Sequence, residues 1–282
     1  MGTERKQEMS VIRKVTDRNI PELKPYAAAS DRQLMRYCEP EPGLFLAESA
    51  KVILRAWNAG YEPLSLLMDQ NQTETESEKL LHVLPDIPVF LTDWDTIKKI
   101  TGLKMIRGAL AVFRRKPLPD YLTIIQDARR IAVLDHVVNP SNIGAVFRSA
   151  AALNIDAVLL SRECSDPFYR RTLRVSMGTV FQIPWTKFSD NYSWPEEGLK
   201  QLKHLGFRTA AMALTENSVN VNDPALKNEK RLAILLGNEG YGLSEELTAA
   251  CDYQVCIPMA HGVDSLNVAA ASAVAFWELG NH

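Results

Sequence analysis

Four cysteines in 282 residues are too few for a disulfide framework. Cys251 and Cys256 stand five apart with no histidine at ligand spacing, so inert or structural thiols are expected there rather than a zinc site. No stretch approaches the roughly 18 consecutive apolar residues of a membrane span. The opening Met1-Gly-Thr-Glu-Arg-Lys6 lacks the apolar core of a secretory signal. A cytoplasmic protein with reduced thiols, without membrane or metal, is therefore expected. Charge of one sign is also missing: the net charge is −2, which excludes a basic coat or a polyacidic tail. The glycine fingerprint of dinucleotide sites, the Gly-Lys-Ser/Thr of phosphate loops and the Gly-x-Ser-x-Gly elbow of hydrolases are all absent. What is present is ordinary for a globular chain, with 46% hydrophobic and 23% charged residues. The length suggests one large or two modest domains.

Residues 1–30 are polar, with Pro21 and Pro25, and read as a loosely ordered arm. From Leu44 onward short apolar runs alternate with helical patterns. In the first half, strands are expected at 44–47, 64–68, 89–91 and 109–113, with helices at 48–59, 78–84 and 93–101. Gly60 and Gly102 serve as helix stops. Residues 31–116 thus form a compact α/β unit. Residues 117–128, opened by Pro117 and Pro119, read as a linker. In 129–282, strands are expected at 130–137, 157–160, 180–183, 207–212, 232–236 and 253–257, and helices at 142–153, 169–176, 196–205, 244–250 and 266–279. Alternation of apolar strands with helices predicts a parallel sheet covered on both faces.

In such sheets ligands bind beyond the carboxyl ends of strands, and three loops there carry unusual residues. Asn139-Pro-Ser-Asn142-Ile-Gly144-Ala-Val-Phe-Arg148 follows the strand at 130–137, with Asn142 placed to cap a helix. On spacing alone Arg148 is either a surface ion-pair residue or a site residue. Leu236-Gly237-Asn238-Glu239-Gly240-Tyr241-Gly242-Leu243 has more glycines than a tight turn needs, and Glu239 among them has no evident structural duty. Ile257-Pro258-Met259-Ala-His261-Gly262-Val-Asp264-Ser265-Leu266-Asn267 follows the last strand; Ser265 is a helix cap or a site hydroxyl. His136 and His261 are either solvated loop residues or substrate contacts.

The three loops, in this order, resemble the three motifs of the SpoU (TrmH-like) RNA ribose methyltransferases of the SPOUT superfamily. The segment Leu173-Arg174-Val175-Ser176-Met177-Gly178 is similar to that family's Arg-x-Ser-x-Gly. The resemblance covers about 129–282. Residues 45–48 and 106–110 resemble a ribosomal-protein-like substrate-binding domain fused ahead of it. The resemblance implies an α/β RNA-binding domain followed by a parallel-sheet SPOUT domain with a deep trefoil knot. It also implies a homodimer with each site near the subunit interface, and S-adenosylmethionine as cofactor. Matched by position, Gly237, Ile257 and Leu266, with Leu214 and Met259, are expected at the cofactor. Asn142, Arg148, Glu239, Ser265 and Asn267 are expected to form the catalytic set, with Glu239 orienting Arg148. Leu153-Asn154 replaces the family's frequent Phe-Gly, and Asn tolerates the left-handed turn.

The implied activity is methylation of a ribose 2′-hydroxyl, with large-subunit rRNA favoured over tRNA because of the added domain. A non-catalytic RNA-binding or ribosome-assembly factor on the same fold is the alternative, disfavoured by the presence of Arg148, Glu239 and Asn267. Residues 1–128 carry 18 basic and 18 acidic side chains, and 129–282 carry 14 and 16. Within the first half, however, Lys98, Lys99, Lys104, Arg107, Arg114, Arg115 and Lys116 fall in a run without an acid. With Arg170, Arg171 and Arg174, they are the expected RNA phosphate track.

Overall fold

The computed structural model describes residues 12–280 apart from 16, 18, 28, 29, 38–42, 73–76, 103–107 and 189–192. The chain divides into two compact units, Met1–Pro117 with Phe168–Arg174 and Leu118–Pro167 with Val175–His282.

The first unit contains β1 (Ile12–Lys14), α1 (Asp31–Met35), β2 (Leu44–Glu48), α2 (Ala50–Asn58), β3 (Pro63–Asp69), α3 (Glu78–Val83), β4 (Val89–Thr92), α4 (Trp94–Thr101) and β5 (Ala109–Arg114). Its sheet runs β1-β4-β3-β5-β2. β4 is parallel to both β1 and β3, whereas β5 is antiparallel to β3 and β2. The local signals act as expected at α4. Asp93 caps it, accepting from the Thr96 N–H at 2.9 Å, Ile97 and Ile100 face the core, and Gly102 ends it at φ 67°. The arm is not loose throughout: Leu23 and Tyr26 are buried in this core, and the Tyr26 hydroxyl shares a 2.7 Å hydrogen bond with Ser65. Two isolated apolar side chains in a polar segment have no periodicity to reveal them.

The supposed linker also carries structure. Asp120 caps α5 (Tyr121–Ile125), and Tyr121 and Ile125, one turn apart, are buried in the second unit. That unit continues with β6 (Arg130–Leu134), α6 (Pro140–Ala152), β7 (Ala157–Leu160), β8 (Trp185–Lys187), α8 (Glu196–His204), β9 (Arg208–Met212), β10 (Val219–Asn220), α9 (Pro224–Asn228), β11 (Leu232–Leu236), α10 (Glu245–Ala250), β12 (Tyr253–Cys256) and α11 (Val268–Leu279); α7 (Arg170–Val175), between β7 and β8 in the chain, belongs to the first unit except for Val175. The seven strands are all parallel, in the order β10-β12-β9-β11-β6-β7-β8. Ile131, Val133, Ala157, Leu159, Ala233 and Leu235 pack with α5, α8 and α10. The alternate positions Ala132, Leu134, Val158, Leu160 and Ile234 are equally buried, so both faces are covered as the apolar runs predict.

Three local expectations fail. The apolar run 180–183 is not a strand: Gly178 at φ 80° leads into a single tight turn at Thr179–Phe181, and the strand comes after Pro184, at 185–187. Apolar content does not distinguish a buried turn from a buried strand. α6 starts at Pro140 with Asn139, not Asn142, as its cap, and α11 starts at Val268 with Asn267, not Ser265, as its cap. Finally, β10 and α9 were not foreseen, although Asp223-Pro224 is a cap followed by a first-turn proline.

Two arginines tie the amino ends of the central strands. Arg130, buried at the start of β6, donates to the carbonyls of Leu279 (2.7 Å) and Lys227 (3.1 Å). Arg231, just before β11, donates to those of Ala128, Leu205 and Ile125 at 2.6–2.9 Å and lies 4.2 Å from the Phe207 ring centroid. The carboxyl ends are left to irregular loops.

Candidate active site

Freed from capping, Asn142 is available for other contacts. Its Nδ2 donates to Glu239 Oε1 at 2.7 Å, and its Oδ1 accepts from Asn267 Nδ2 at 3.3 Å. A carboxylate can only accept, so the direction of the chain is fixed: the Asn142 amide must present its NH2 to Glu239 and its oxygen to Asn267. Asn267 completes the series, its Oδ1 accepting the Ala269 N–H at 3.0 Å as the α11 cap. One hydrogen-bonded chain thus joins the loops after β6, β11 and β12.

The β11 loop is braced from within. Asn238 and Gly242 exchange main-chain hydrogen bonds at 3.1 and 3.0 Å. The Asn238 side chain donates to the His136 carbonyl at 2.9 Å and accepts from the Gly240 N–H at 2.7 Å. A Cβ at Gly237 would lie 2.4 Å from the Gly242 carbonyl carbon and the Leu243 nitrogen, and Gly242 has φ 72°. The loop closes only because these positions are glycine. His136, itself at φ 53°, places Nδ1 3.1 Å from Asp135 Oδ1.

Beside this chain lies a cleft of about 320 Å³ at the carboxyl ends of β9 and β12. Leu214, Ile257, Met259 and Leu266, four of the five residues expected at the cofactor, line it together with Ser265 and Asp264. Gly237 does not; its missing side chain serves loop closure instead. Leu214 is 70% exposed, an apolar side chain open to the cleft. Cys256 and Asp264 were missed as lining residues, although Cys256 ends β12 and Asp264 lies in the loop that follows it, where a ligand is expected.

Arg148 departs from expectation. It is exposed on α6, six residues beyond Asn142, hence roughly 9 Å along the helix and about 120° around it. Among the described residues no hydrogen bond or ion pair joins it to Glu239. The carboxylate is held by Asn142, so Glu239 orients the amide rather than the guanidinium.

Residues 129–277 match the SpoU rRNA Methylase family. The chain belongs to that family. An uncharacterized tRNA/rRNA methyltransferase of Mycobacterium bovis is 37% identical over 236 residues, 83% of this chain and 80% of the relative. The 23S rRNA (guanosine-2′-O-)-methyltransferase RlmB of Acinetobacter baylyi is 26% identical over 76% of this chain and 88% of its own. The AdoMet-bound rRNA methyltransferase of Sinorhizobium meliloti superposes with a TM-score of 0.75 at 26% identity, covering 95% of this chain and 97% of that one. SpoU membership makes this chain an RNA methylase and accounts for the three motif loops meeting at one place.

The cations expected on RNA are less uniform in this SpoU protein than their sequence run suggests. Lys98 and Lys99 are exposed on the last turn of α4, and Arg174 is exposed too. Lys104 and Arg107 lie outside the described residues. Arg114 is instead paired with Glu62 at 2.8 Å. Arg115 donates to the Leu44 carbonyl at 3.1 Å and stacks 4.9 Å from the Phe168 ring, while Lys116 sits 4.7 Å from the Tyr61 ring. Arg170 is half-buried near Asp31 and Glu48, with burial drawing its pKa below the usual guanidinium value, and Arg171 is exposed. No metal-binding cluster exists among the described residues, and none of their helices is long and apolar enough to cross a membrane.

Proposed function

We propose that this chain transfers a methyl group from S-adenosylmethionine to a ribose 2′-hydroxyl of structured RNA, with large-subunit rRNA as the substrate. The carrying observation is the Glu239–Asn142–Asn267 chain, whose last member directly follows the cleft-lining Ser265 and Leu266 in the β12–α11 loop. It offers a fixed hydrogen-bonding surface next to the loop that lines the apolar pocket. The pocket suits the cofactor: its volume falls at the lower end of the ~300–1,000 Å³ of small-molecule sites. Leu214, Ile257, Met259 and Leu266 offer apolar cover for an adenosine, and the loop backbone offers partners for its polar edge. When bound, S-adenosylmethionine supplies an electrophilic methyl group.

The remaining requirements fall to the chain's own residues. In-line displacement demands that the hydroxyl be held in place. Asn142 and Asn267, oriented at both ends, hold the ribose, and the exposed Ser265 hydroxyl, without a hydrogen bond among the described residues, adds a contact at the cleft wall. Glu239 fixes the direction of the Asn142 amide. A ribose hydroxyl is a poor acid, and a guanidinium offers donors but no acceptor for a proton, so Arg148 stabilises the developing alkoxide and anchors phosphate rather than taking the proton. Because Arg148 faces away from Asn142 on its own helix, we assign this duty across a homodimer, to Arg148 of a second copy. The apolar line Ala270–Val274–Trp277, at helical spacing on α11, supports such an interface: Ala270 is exposed, Val274 half-buried and Trp277 62% exposed.

The strand order supports the deep trefoil knot implied by the resemblance. The β10-to-β11 connection passes β12 and β9, and the β11-to-β12 connection passes back over β9. The first unit is assigned to RNA binding through Lys98 and Lys99, with Lys104 and Arg107 as further candidates.

Mapping ribose methylation in total RNA with and without the gene tests the reaction and identifies the nucleotide. Arg148→Ala and Asn142→Ala are each expected to lower single-turnover methylation about 100-fold or more without changing the melting temperature by more than a few degrees. Near-normal methylation by Arg148→Ala overturns its role.

A further inference from the structure

We infer that Asp264 is the residue by which this protein distinguishes S-adenosylmethionine from its demethylated product, by facing the sulfonium charge. The inference rests on the cofactor reading above and adds a specificity residue to it.

Among the described residues lining the cleft, Asp264 is the only carboxylate, and there is no lysine, arginine or histidine. The pocket is otherwise apolar apart from Ser265 and the Cys256 thiol. The methyl donor is a permanent cation at sulfur, and the product, S-adenosylhomocysteine, has the same frame with a neutral thioether. An apolar wall treats the two nearly alike, because one methyl group changes little contact area. A carboxylate does not, because only the donor presents a positive charge to it.

The proposed reaction sets which end of the donor Asp264 meets. The methyl group must reach a hydroxyl held by Asn142 and Asn267, so the sulfur lies at the cleft end where Ser265 and Leu266 lead into Asn267. Asp264 stands immediately before Ser265 on that wall. A tight turn delivers it there: His261 and Gly262 have φ 58° and 71°, and the Val263 N–H donates to the Ala260 carbonyl at 3.2 Å. Among the described residues no hydrogen bond or ion pair engages Asp264, so no internal cation competes for its charge. Once the methyl group has left the sulfur the attraction is gone, which favours release of the product over the donor.

The test is equilibrium binding of S-adenosylmethionine and S-adenosylhomocysteine to the full chain by calorimetry, for wild type, Asp264→Asn and Asp264→Glu. Asp264→Asn is expected to weaken S-adenosylmethionine about fivefold, the scale of a partly exposed ion pair, and S-adenosylhomocysteine less than twofold. Asp264→Glu is expected to restore most of the preference, and 1 M salt to shrink it in wild type. Equal weakening of both ligands, or of neither, overturns the inference while leaving the cofactor reading intact. Wild type that binds neither ligand removes the cofactor reading, and the inference with it. An unliganded melting temperature matching wild type shows that Asp264→Asn is folded.

Discussion

Single residues in this SpoU protein carry strain and reactivity that can be measured. Ser49, between β2 and α2, has φ 78° and ψ 147°, a region that side chains other than glycine enter at a cost of about 1–3 kcal/mol. Its N–H donates to the Ala109 carbonyl and its carbonyl accepts from Ile53, which holds the conformation in place. Ser49→Gly is therefore expected to raise stability by about 1 kcal/mol, read as a higher urea midpoint with an unchanged slope. The cysteines differ in a second way. Burial pushes the Cys164 and Cys251 thiols up to about 11, so that roughly one in a thousand is thiolate at pH 8. Cys256 is partly exposed in the cleft wall. Maleimide labelling followed by peptide mass spectrometry should modify Cys256 ahead of those two, and S-adenosylmethionine should slow that labelling. Unprotected Cys256 would place the cofactor elsewhere. At this scale the motif residues were legible because amides, glycines and a carboxylate in strand-end loops have few structural excuses. The partner of Glu239 was not, because hydrogen-bond pairing across 97 residues leaves no trace in spacing.

Elements were legible wherever burial was continuous. β6, β7 and β11 are buried at every position and read directly as apolar runs. β10, two residues long, holds its place only through pairing with β12, which is a tertiary fact. One junction gives this sheet a pH dependence. Asp252, entering β12, accepts from the Thr209 N–H at 2.9 Å and hydroxyl at 2.7 Å, with Arg208 at 3.1 Å and Lys203 at 3.8 Å. Burial raises its pKa, but the Thr209 hydrogen bonds and the two cations together hold it below the usual carboxylate range. A depressed carboxyl stabilises the fold above its unfolded pKa, and the contribution is lost as pH falls through the folded one. Asp252→Asn is expected to cost about 1 kcal/mol at pH 7, after allowance for solvent screening. Chemical denaturation at pH 7 and pH 3 should show the gap between variant and wild type closing in acid. A constant gap would mean that packing, not charge, is at issue.

At the scale of the whole molecule, Arg148 and the Asn142 network lie on different faces of α6. If a dimer closes the site, Trp277→Asp should yield monomers in sedimentation and lose methylation together with dimerisation. Mixing Arg148→Ala with Asn142→Ala subunits should recover activity, because one site of each mixed dimer is then intact. No recovery would place Arg148 in its own chain's site. The near-neutral charge, which excluded a basic coat, is also sharpened at this scale. Arg114, Arg115 and Lys116 make contacts within the first unit, leaving a smaller set of exposed cations than the sequence run implies.

By itself the sequence determined the alternation of strand and helix, the parallel sheet and the identity of the motif loops. Each of these depends on local pattern: continuous apolar runs, caps, and residue types concentrated after strands. Only the tertiary structure decided the strand order, the true helix caps, the loop closure that requires Gly237, and the wiring of Glu239 to Asn142. Those outcomes depend on which distant segments come within hydrogen-bonding distance, and that is set by how the whole sheet is assembled rather than by any neighbour in the chain.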